Sequence, residues 1–185
     1  MDTIVLLSGG IDSTACIAFY RRLGHAVTGL FVDYDQPVRR REEQSAIAIA
    51  AHYDVPLSII RCAGPHTSFS GEIGGRNALL VFAALMFRPI QSGIIALGIH
   101  WGTTYYDCSE SFAADLGRII SGYTNGKTSL GTPFLTWRKR LIYQLAVDAD
   151  VPVHLTWSCE VGPDTPCGRC LSCRDREGLH VRTTV

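Results

Sequence analysis

Residues 3–23 read TIVLLSGGIDSTACIAFYRRL, and this stretch decides the fold. The apolar run 3–7 is typical of a central parallel strand, and the sequence after Gly10 favours a helix. A strand, a glycine turn and a helix N-terminus in succession form an anion site, because unpaired backbone N–H groups converge there and the helix dipole adds positive charge. Since Gly9 and Gly10 lack a Cβ, phosphate oxygens can approach the main chain. We therefore expect a polyphosphate ligand.

The glycine turn does not fit a Walker A loop, which requires the pattern G-x4-G-K-[ST] and therefore a lysine. The only Gly-Lys-Thr sequence, at 126–128, has its nearest upstream glycine at Gly122, one residue too close, and we interpret it as a surface turn. The pattern S-G-G-x-D-S at 8–13 instead resembles the PP-loop of ATP pyrophosphatases, which split ATP between its α and β phosphates to adenylate a substrate oxygen. A chance Gly-Gly turn is the alternative.

The composition favours a single domain that acts on a small molecule. At 185 residues the chain is close to the usual domain size of about 150 residues. Lysine plus arginine equals aspartate plus glutamate at 17 each, so no overall positive field favours nucleic acid. PP-loop enzymes that modify tRNA usually carry an extra RNA-binding domain, for which this length leaves no room. We therefore expect no nucleic-acid partner.

Neither a signal peptide nor a membrane span is apparent in the sequence. The chain enters strand sequence directly at its N-terminus, and no apolar run reaches about 18 residues. We therefore expect a soluble, cytoplasmic protein without a membrane partner. In that compartment, seven cysteines indicate metal binding or catalysis rather than disulfides.

The apolar runs alternate between strand and helix patterns, which predicts an α/β fold with a doubly wound, mainly parallel, Rossmann-like sheet. The predicted strands are 3–7, 26–32, 57–62 and 93–97, and the predicted helices are 12–23, 38–53, 76–87, 109–120 and 137–149. In such sheets ligands bind at the carboxyl ends of the strands, so the loops after the strands should share one rim. We expect residues 1–157 to form the ATP-binding domain and residues 158–185 to form a zinc-binding segment packed on it.

Two predicted helices begin with basic first turns, at 39–41 and 138–140. Cations at a helix N-terminus oppose the macrodipole unless an anion offsets them. A shared anionic ligand such as ATP would do so; the alternative is that the neighbouring glutamates and solvent neutralise these charges. Lys139 is the strongest candidate, because an apolar stripe should cover the opposite side of its helix. The stripe consists of Trp137, Leu141 and Leu145.

Two further segments place polar and aromatic residues on the predicted rim. Arg76 and Asn77 follow a glycine-rich segment at a helix start, where a guanidinium could bind phosphate or carboxylate; a plain asparagine cap is the alternative. The rim loop, residues 100–108, is rich in aromatic rings and hydroxyls, which suit a planar heterocycle, although an ordinary packed loop has the same composition. Cys108 is the free thiol that could act as a nucleophile, whereas a lone His100 is more often structural.

Four cysteines near the C-terminus have the spacing C-x7-C-x2-C-x2-C. They are Cys159, Cys167, Cys170 and Cys173. Two-residue gaps let successive thiolates point at one tetrahedral centre, so four sulfurs complete the shell of a structural zinc ion. Such a closed site has no open coordination position, and we expect it to stabilise the segment without activating a substrate. An iron–sulfur cluster is the alternative group for these thiolates.

Together the PP-loop and the cysteines resemble the QueC family of 7-cyano-7-deazaguanine synthases over residues 3–179. The matches are SGGxDS at 8–13, Asp33-Tyr34-x-Gln36, Gly75-Arg76-Asn77, Asp107-Cys108, Thr132-Pro133 with Lys139, and the four cysteines. The resemblance implies that ATP adenylates the carboxylate of 7-carboxy-7-deazaguanine, that ammonia gives an amide, and that a second ATP dehydrates the amide to the nitrile. It also implies a structural Zn2+ and a homodimer.

The resemblance further implies roles for individual residues. The pyrophosphate of ATP should be held by the PP-loop, with Mg2+ and Arg76 or Lys139 neutralising its charge. The expected catalytic residues are Ser8, Asp12, Ser13, Arg76 and Lys139. The expected ATP-binding residues are Leu7, Ser8, Gly9, Gly10, Ile11, Asp12, Ser13, Thr14, Asp33 and Arg76. Positioning and electrostatics would supply most of the rate.

The chain departs from the family pattern at three places. Asp35 stands where the family usually has a glycine, the segment 64–75 is shorter, and the rim loop lacks the first aspartate and the Ser-Gly of the usual sequence Asp-x-Ser-Gly-Tyr-x-Asp-Cys. ATP chemistry therefore carries over, whereas acceptor recognition does not. Shortened relatives occur in bacterial antiviral systems that join a deazaguanine to a protein amine, so a protein acceptor is a second expectation. A tRNA thiolase and a non-catalytic nucleotide sensor are two hypotheses from different functional classes.

Overall fold

The structure is a computed structural model that describes residues 1–62, 73–87, 91–162 and 164–180. Within these ranges the strands are β1 (Asp2–Leu6), β2 (Ala26–Asp33), β3 (Leu57–Arg61), β4 (Gly93–Ala96) and β5 (Thr128–Gly131). They form one parallel sheet in the order β3-β2-β1-β4-β5. β1 is central, and its residues Thr3 to Leu6 are buried because both faces of the sheet are covered.

Helices cover both faces of the sheet. They are α1 (Ile11–Arg22), α2 (Arg39–Tyr53), α3 (Arg76–Phe87), α4 (Glu110–Thr124), α5 (Lys139–Asp148) and α6 (Leu171–His180). Ile17, Ile49 and Ile142 bring α1, α2 and α5 into the core of one face. Val81 and Leu116 bring α3 and α4 into the core of the other. The strand order reverses between β1 and β4, and this switch point is where doubly wound sheets bind ligands.

The predicted doubly wound fold is confirmed, and the predicted strands and helices are present with ends displaced by a few residues. The prediction missed β5. The expected surface turn exists, since Asn125 and Gly126 have φ values of 52° and 74°, but it leads directly into a strand beside β4. The prediction also missed α6, because polar residues and cysteines dominate that sequence. Residues 64–72 of the shortened segment 64–75 lie outside the described residues.

The apolar stripe predicted for the fifth helix is confirmed only in part, since Trp137 and Leu145 pack against the core whereas Leu141 is exposed. The helix begins at Lys139 rather than at residue 137, so Trp137 lies in the preceding turn and is not in helical register with the rest of the stripe. The buried side chains of the helix are Ile142, Tyr143 and Ala146. Leu141, expected in the stripe, is 52% exposed. Among the described segments, every helix is too short or too polar to traverse a bilayer.

Candidate functional site

The phosphate turn, residues 8–10, joins β1 to α1 at the switch point. Gly10 is the N-cap of α1, and no side chain in the described ranges caps this helix end. The N–H groups of the first helical turn therefore remain available to an anion, and the macrodipole reinforces their attraction for one. Ser13 Oγ and Thr14 Oγ1 donate to the Gly10 carbonyl at 3.0 and 2.8 Å, which fixes the shape of the turn.

Gly9 occupies a position where only glycine fits. Its φ is +80°, and a Cβ added there would lie 2.7 Å from both the carbonyl oxygen of Glu42 and the Cβ of Ser45 on α2. On its other side, the backbone N–H of Trp157 donates to the Gly9 carbonyl at 2.9 Å. The turn is therefore clamped between α2 and the segment that precedes the cysteines.

A charged group lies beside the phosphate turn. Lys139 Nζ on α5 donates to Asp12 Oδ2 on α1, and His100 Nε2 lies 4.0 Å from the same oxygen. His100 Nδ1 lies 2.8 Å from the Trp101 carbonyl, which can only accept, so this nitrogen carries the hydrogen. Asp12 Oδ1 is buried without a hydrogen-bond partner among the described residues. A buried carboxylate oxygen with no donor fits a hard cation such as Mg2+.

Sequence reasoning treated His100 as an isolated histidine, but the structure brings it to Asp12. The cause is Gly98 at the end of β4. A Cβ on Gly98 would lie only 3.0 Å from the carbonyl carbon of Asp12, so glycine lets the loop after β4 approach the backbone of α1. The adjacency of β1 and β4 follows from topology, and a glycine two residues before the histidine was the available sequence signal.

Arg76 lies on the other side of the site, at the start of α3 beside the carboxyl end of β2. Burial, reinforced by the Glu42 carboxylate, raises the pKa of Tyr34 to about 12 despite a hydrogen bond with Arg76. Burial also raises the pKa of Glu42, which accepts a hydrogen bond from Gln36 Nε2 at 2.8 Å. The Arg76 guanidinium is the cation that lowers the pKa of both groups and so partly offsets their burial.

Buried Asn77 and Asp107 tie the start of α3 to the rim loop. Asn77 Nδ2 donates to the Asp107 carbonyl at 3.0 Å, and the Asn77 backbone N–H donates to Asp107 Oδ2 at 3.4 Å. Asn77 is thus a link between two segments rather than the helix cap considered from sequence. Burial raises the pKa of the adjacent Cys108 thiol. Because a protonated thiol is a poor nucleophile, this environment weighs against a nucleophilic role for Cys108.

Aspartates neutralise Arg39, the first arginine of the basic turn of α2. Arg39 Nη1 pairs with Asp35 Oδ1 at 2.8 Å, and Arg39 Nε lies 4.0 Å from Asp33 Oδ2. Arg61 at the end of β3 approaches the same Asp33 oxygen at 3.9 Å. For Arg39, nearby carboxylates are therefore a better account than a shared anionic ligand, and they come from the end of β2 and the loop after it rather than from the neighbouring glutamates.

The other predicted ATP-binding residues line or support the phosphate turn. Leu7, Ile11 and Thr14 have almost fully buried side chains, so Leu7 and Ile11 can offer only backbone groups to a ligand. Ser8 Oγ lies 3.2 Å from Ser13 Oγ. The structure places these residues at the carboxyl end of β1, Asp33 at the end of β2 and Arg76 at the start of α3. Their roles in ATP binding stay predictions.

The structure brings the four predicted metal ligands together. The Sγ atoms of Cys159, Cys167, Cys170 and Cys173 all lie within 4.8 Å of one another. Zinc–sulfur bonds of about 2.3 Å in a tetrahedron separate the sulfurs by about 3.8 Å. A single ion therefore needs only a small contraction, whereas an iron–sulfur cubane would have to be inserted between the thiolates and would push them apart.

Backbone N–H groups favour the thiolate form of the first two cysteines of the cluster. Burial raises the pKa of Cys159, but N–H groups that include those of Cys167 and Gly162, at 3.3 and 3.1 Å from its Sγ, more than offset burial and leave the pKa below its usual value. The N–H groups of Arg169 and Cys170 lower the pKa of Cys167 to about 6. Burial and the neighbouring thiols instead raise the pKa of Cys173 to about 12, so this thiol would lose its proton only on binding a metal. The close approach of the four sulfurs, two of them favoured as thiolates, fits a metal ion.

A parallel sheet with an uncapped, glycine-rich phosphate turn at its switch point defines a PP-loop protein. The chain belongs to the QueC family: it matches the family described as Queuosine biosynthesis protein QueC over residues 2–70 and 70–182. It is 31% identical to the 7-cyano-7-deazaguanine synthase of a Synechococcus species, over 95% of this chain and 92% of that protein. It is 32% identical to the synthase of Prochlorococcus marinus, over 97% and 93% respectively. The predicted family and enzyme class are confirmed.

Solved structures support the fold. U34-tRNA thiolase NcsA from Methanococcus maripaludis, solved with its [4Fe-4S] cluster, aligns with a TM-score of 0.58 at 13% identity, over all of this chain and 66% of that one. NMN synthetase from Francisella tularensis aligns with a TM-score of 0.51 at 19% identity, over 83% of this chain and 63% of that one. At these identities the likeness shows the fold alone.

Proposed function

We propose that this protein uses ATP to convert the carboxylate of 7-carboxy-7-deazaguanine into an amide and then a nitrile, as expected of a 7-cyano-7-deazaguanine synthase. The observation that carries the proposal is the uncapped start of α1 behind Gly9, with Lys139 paired to Asp12 beside it. This arrangement offers N–H donors and the Lys139 ammonium group to a polyphosphate, and the sequence of the turn resembles the PP-loop motif.

In the first step a carboxylate oxygen of the substrate attacks the α-phosphorus of ATP, the bond to the β-phosphate breaks, and pyrophosphate leaves. The N–H groups after Gly9 and the hydroxyls of Ser8 and Ser13 bind the departing phosphates. Lys139 exchanges its bond to Asp12 for one to phosphate as charge develops there. Arg76, on the opposite side, stabilises either the substrate carboxylate or the α-phosphate.

In the second step the nitrogen of ammonia attacks the acyl carbon, a proton is lost, and AMP leaves to give the amide. The amide oxygen then attacks a second ATP, pyrophosphate leaves, and loss of AMP with two protons gives the nitrile. Mg2+ bound with ATP would neutralise phosphate charge, and Asp12 Oδ1 is the residue atom that fits it. We propose zinc for the four-cysteine cluster, as a structural ion in a segment, 158–185, packed on the ATP-binding domain 1–157.

The test is mass spectrometry of products from 7-carboxy-7-deazaguanine, ATP, Mg2+ and ammonium. We expect AMP and pyrophosphate together with the amide and the nitrile. Ser8→Ala and Asp12→Asn should abolish AMP release without unfolding the protein, while Ser111→Ala, on the exposed start of α4, should behave as wild type. Absence of AMP with every acceptor, in protein shown to be folded, would refute the reaction.

A protein amine is the second candidate acceptor, and exposure of the rim loop supports it. Trp101 and Tyr106 are 55% and 58% exposed, so this loop offers aromatic surface that a macromolecular acceptor could cover. A product mass equal to a candidate partner protein plus the deazaguanine acyl group would identify this reaction. ATP binding without AMP release would indicate a nucleotide sensor, and visible absorption from an iron–sulfur cluster would favour a thiolase. The homodimer is tested by light scattering of the purified protein.

A further inference from the structure

Trp157 lies between the phosphate turn and the four-cysteine cluster and bonds to both. Its backbone N–H donates to the Gly9 carbonyl at 2.9 Å. Its indole Nε1–H donates to the carbonyl of Cys159, two residues along, at 2.9 Å. The first cysteine of the cluster and the second residue of the phosphate turn are therefore joined through a single residue.

The loop between the first two cysteines is also tied to the helix that supports the turn. Arg41 on α2 donates to the Asp164 carbonyl at 2.8 Å, and its guanidinium lies 5.3 Å from the centre of the Trp157 ring. The same helix supplies the Glu42 carbonyl and Ser45 Cβ against which Gly9 packs. Trp157 thus shares its support with the turn that it contacts.

A third set of bonds fixes the segment just before Trp157. Arg176 on α6, the helix that carries Cys173, donates to the carbonyls of Thr156 and Val153 at 2.9 Å each. Residues 153–157 are therefore hydrogen-bonded both to Cys159, the first ligand of the cluster, and to Arg176, on the helix that carries Cys173, the last ligand. Closing the cluster around a metal ion removes freedom from this segment, because its first and last ligands then become parts of one rigid unit.

The planarity of the peptide bond links these hydrogen bonds to phosphate binding. The Gly9 carbonyl and the Gly10 N–H belong to one planar peptide unit, so a bond that fixes the carbonyl also fixes the direction of the N–H. Glycine at both positions gives this unit more rotational freedom than any other residue pair. Within the described part of the chain, the acceptor for the Gly10 N–H is Ser8 Oγ at 3.4 Å, which is a weak restraint.

We propose that Trp157 is a positioning residue through which the metal-closed four-cysteine cluster holds the phosphate turn in its ATP-binding conformation. The inference rests on the proposed function only in placing ATP at this turn. The metal would then act on ATP affinity over a distance, without contacting the nucleotide.

The experiment compares Trp157→Ala, Trp157→Phe and Cys170→Ser with Cys62→Ser, a substitution of a half-buried cysteine outside the cluster. Two quantities are measured without acceptor: ATP affinity by calorimetry, and hydrogen exchange of the peptide that covers the phosphate turn. Trp157→Ala keeps the backbone N–H that bonds to Gly9 but removes the indole bond to Cys159 and the ring beneath Arg41, which hold that backbone in place. It should weaken ATP binding about five- to tenfold, the factor expected for losing one hydrogen bond. Trp157→Phe, which keeps a ring beneath Arg41, should retain part of the affinity, and Cys62→Ser should match wild type.

Exchange at the turn should rise in Trp157→Ala and Cys170→Ser while the strands stay protected, and in steady-state kinetics Trp157→Ala should raise KM for ATP with little effect on kcat. If Cys170→Ser fails to fold, Trp157→Ala decides, because it keeps all four thiolates and its metal content can be measured. A metal-loaded Trp157→Ala protein with wild-type exchange at the turn would overturn the inference. Wild-type protein that binds no ATP would refute the proposed function but not the positioning role of Trp157. The hydrogen-exchange comparison would still decide that role.

Discussion

The phosphate turn and the loop after β2 follow adjacent parallel strands, and each contains a residue in the left-handed region. Gly9 has a φ of +80° and Asp35 a φ of +65°. At Gly9 the neighbouring α2 backbone leaves no space for a Cβ, whereas the Asp35 side chain has room and pairs with Arg39. Its N–H also donates to Asp33 Oδ1 at 2.9 Å. The family motif usually has a glycine at both positions, yet only position 9 requires one.

A motif glycine is irreplaceable where φ is positive and neighbouring atoms also leave no room for a Cβ. Where conformation alone is demanded, aspartate can adopt the left-handed region at a modest cost and recover some of it through a local hydrogen bond or ion pair. The departure from the family pattern at Asp35 is therefore structurally compensated, and it does not alter the frame that holds the phosphate turn.

The largest effect is expected from Gly9→Ala, measured against Gly24→Ala. Gly24 has a similar φ of +76° but no atom within 4 Å of an added Cβ. Gly24→Ala should cost about 1 kcal/mol of unfolding free energy and keep ATP binding. Gly9→Ala should cost about 3 kcal/mol and lose ATP binding, because overlap adds to strain. Denaturant titration and calorimetry measure both. Equal losses of unfolding free energy and equal ATP affinities in the two variants would show that lack of space at Gly9 is not what demands glycine.

The next effect concerns the cation beside the turn. Lys139→Gln should lower the rate of AMP formation about 100-fold, since it removes a charge that binds phosphate as pyrophosphate leaves. Arg140→Gln, in the same first turn of α5 but exposed, is the matched control and should stay within about twofold of wild type. Single-turnover AMP release separates them. A full rate in Lys139→Gln would show that the backbone N–H groups suffice.

A smaller effect is expected from Glu42→Gln, on the helix that packs against Gly9. Burial raises the pKa of Glu42. The folded state therefore holds this proton more tightly than the unfolded state, so the stabilisation is complete below the ordinary glutamate pKa and is lost as pH rises through the folded pKa. Glu42→Gln should raise the unfolding free energy by about 1 kcal/mol at pH 8 and change it little at pH 4.

Thermal or denaturant unfolding at the two pH values measures this dependence. The control is Glu43→Gln, which removes the neighbouring carboxylate that pairs with Arg61 at 2.7 Å on the exposed side of α2. It should slightly destabilise the protein at pH 8, because a half-exposed ion pair is worth little. A Glu42→Gln protein that is less stable than wild type at pH 8 would mean that the ionised carboxylate is needed by Arg76.

The smallest effect is expected at Asp35. Asp35→Gly relieves backbone strain of about 1 kcal/mol but removes the pair with Arg39, so its stability should stay within about 0.5 kcal/mol of wild type. Asp35→Ala keeps the strain and loses the pair, so it should be less stable by about 1 kcal/mol. Denaturant unfolding measures the free energy of unfolding of both variants. Equal values would show that the left-handed backbone at residue 35 carries no cost.

Sequence patterns predicted the parts of this fold that rest on long apolar runs and on fixed spacings. The strand–turn–helix around Gly9 and the assembly of the four cysteines follow from such patterns. β5 was missed because its four residues carry little apolar signal and depend on pairing with β4. The stripe on α5 was wrong at Leu141, because the helix starts at Lys139 and that start depends on the preceding turn. The approach of His100 to Asp12 could not be predicted, since it depends on which strands are neighbours.

The close packing of Gly98 on α1 has a consequence for how relatives of this chain can diversify. A side chain at that position would push the loop away from the helix start, so we expect the backbone from the end of β4 to residue 99 to keep its length and path. In the loop after β4, we expect insertions and deletions to be tolerated after residue 100, where Trp101 is already exposed. New acceptors can therefore be acquired by remodelling a peripheral loop, while the adenylating machinery is inherited unchanged.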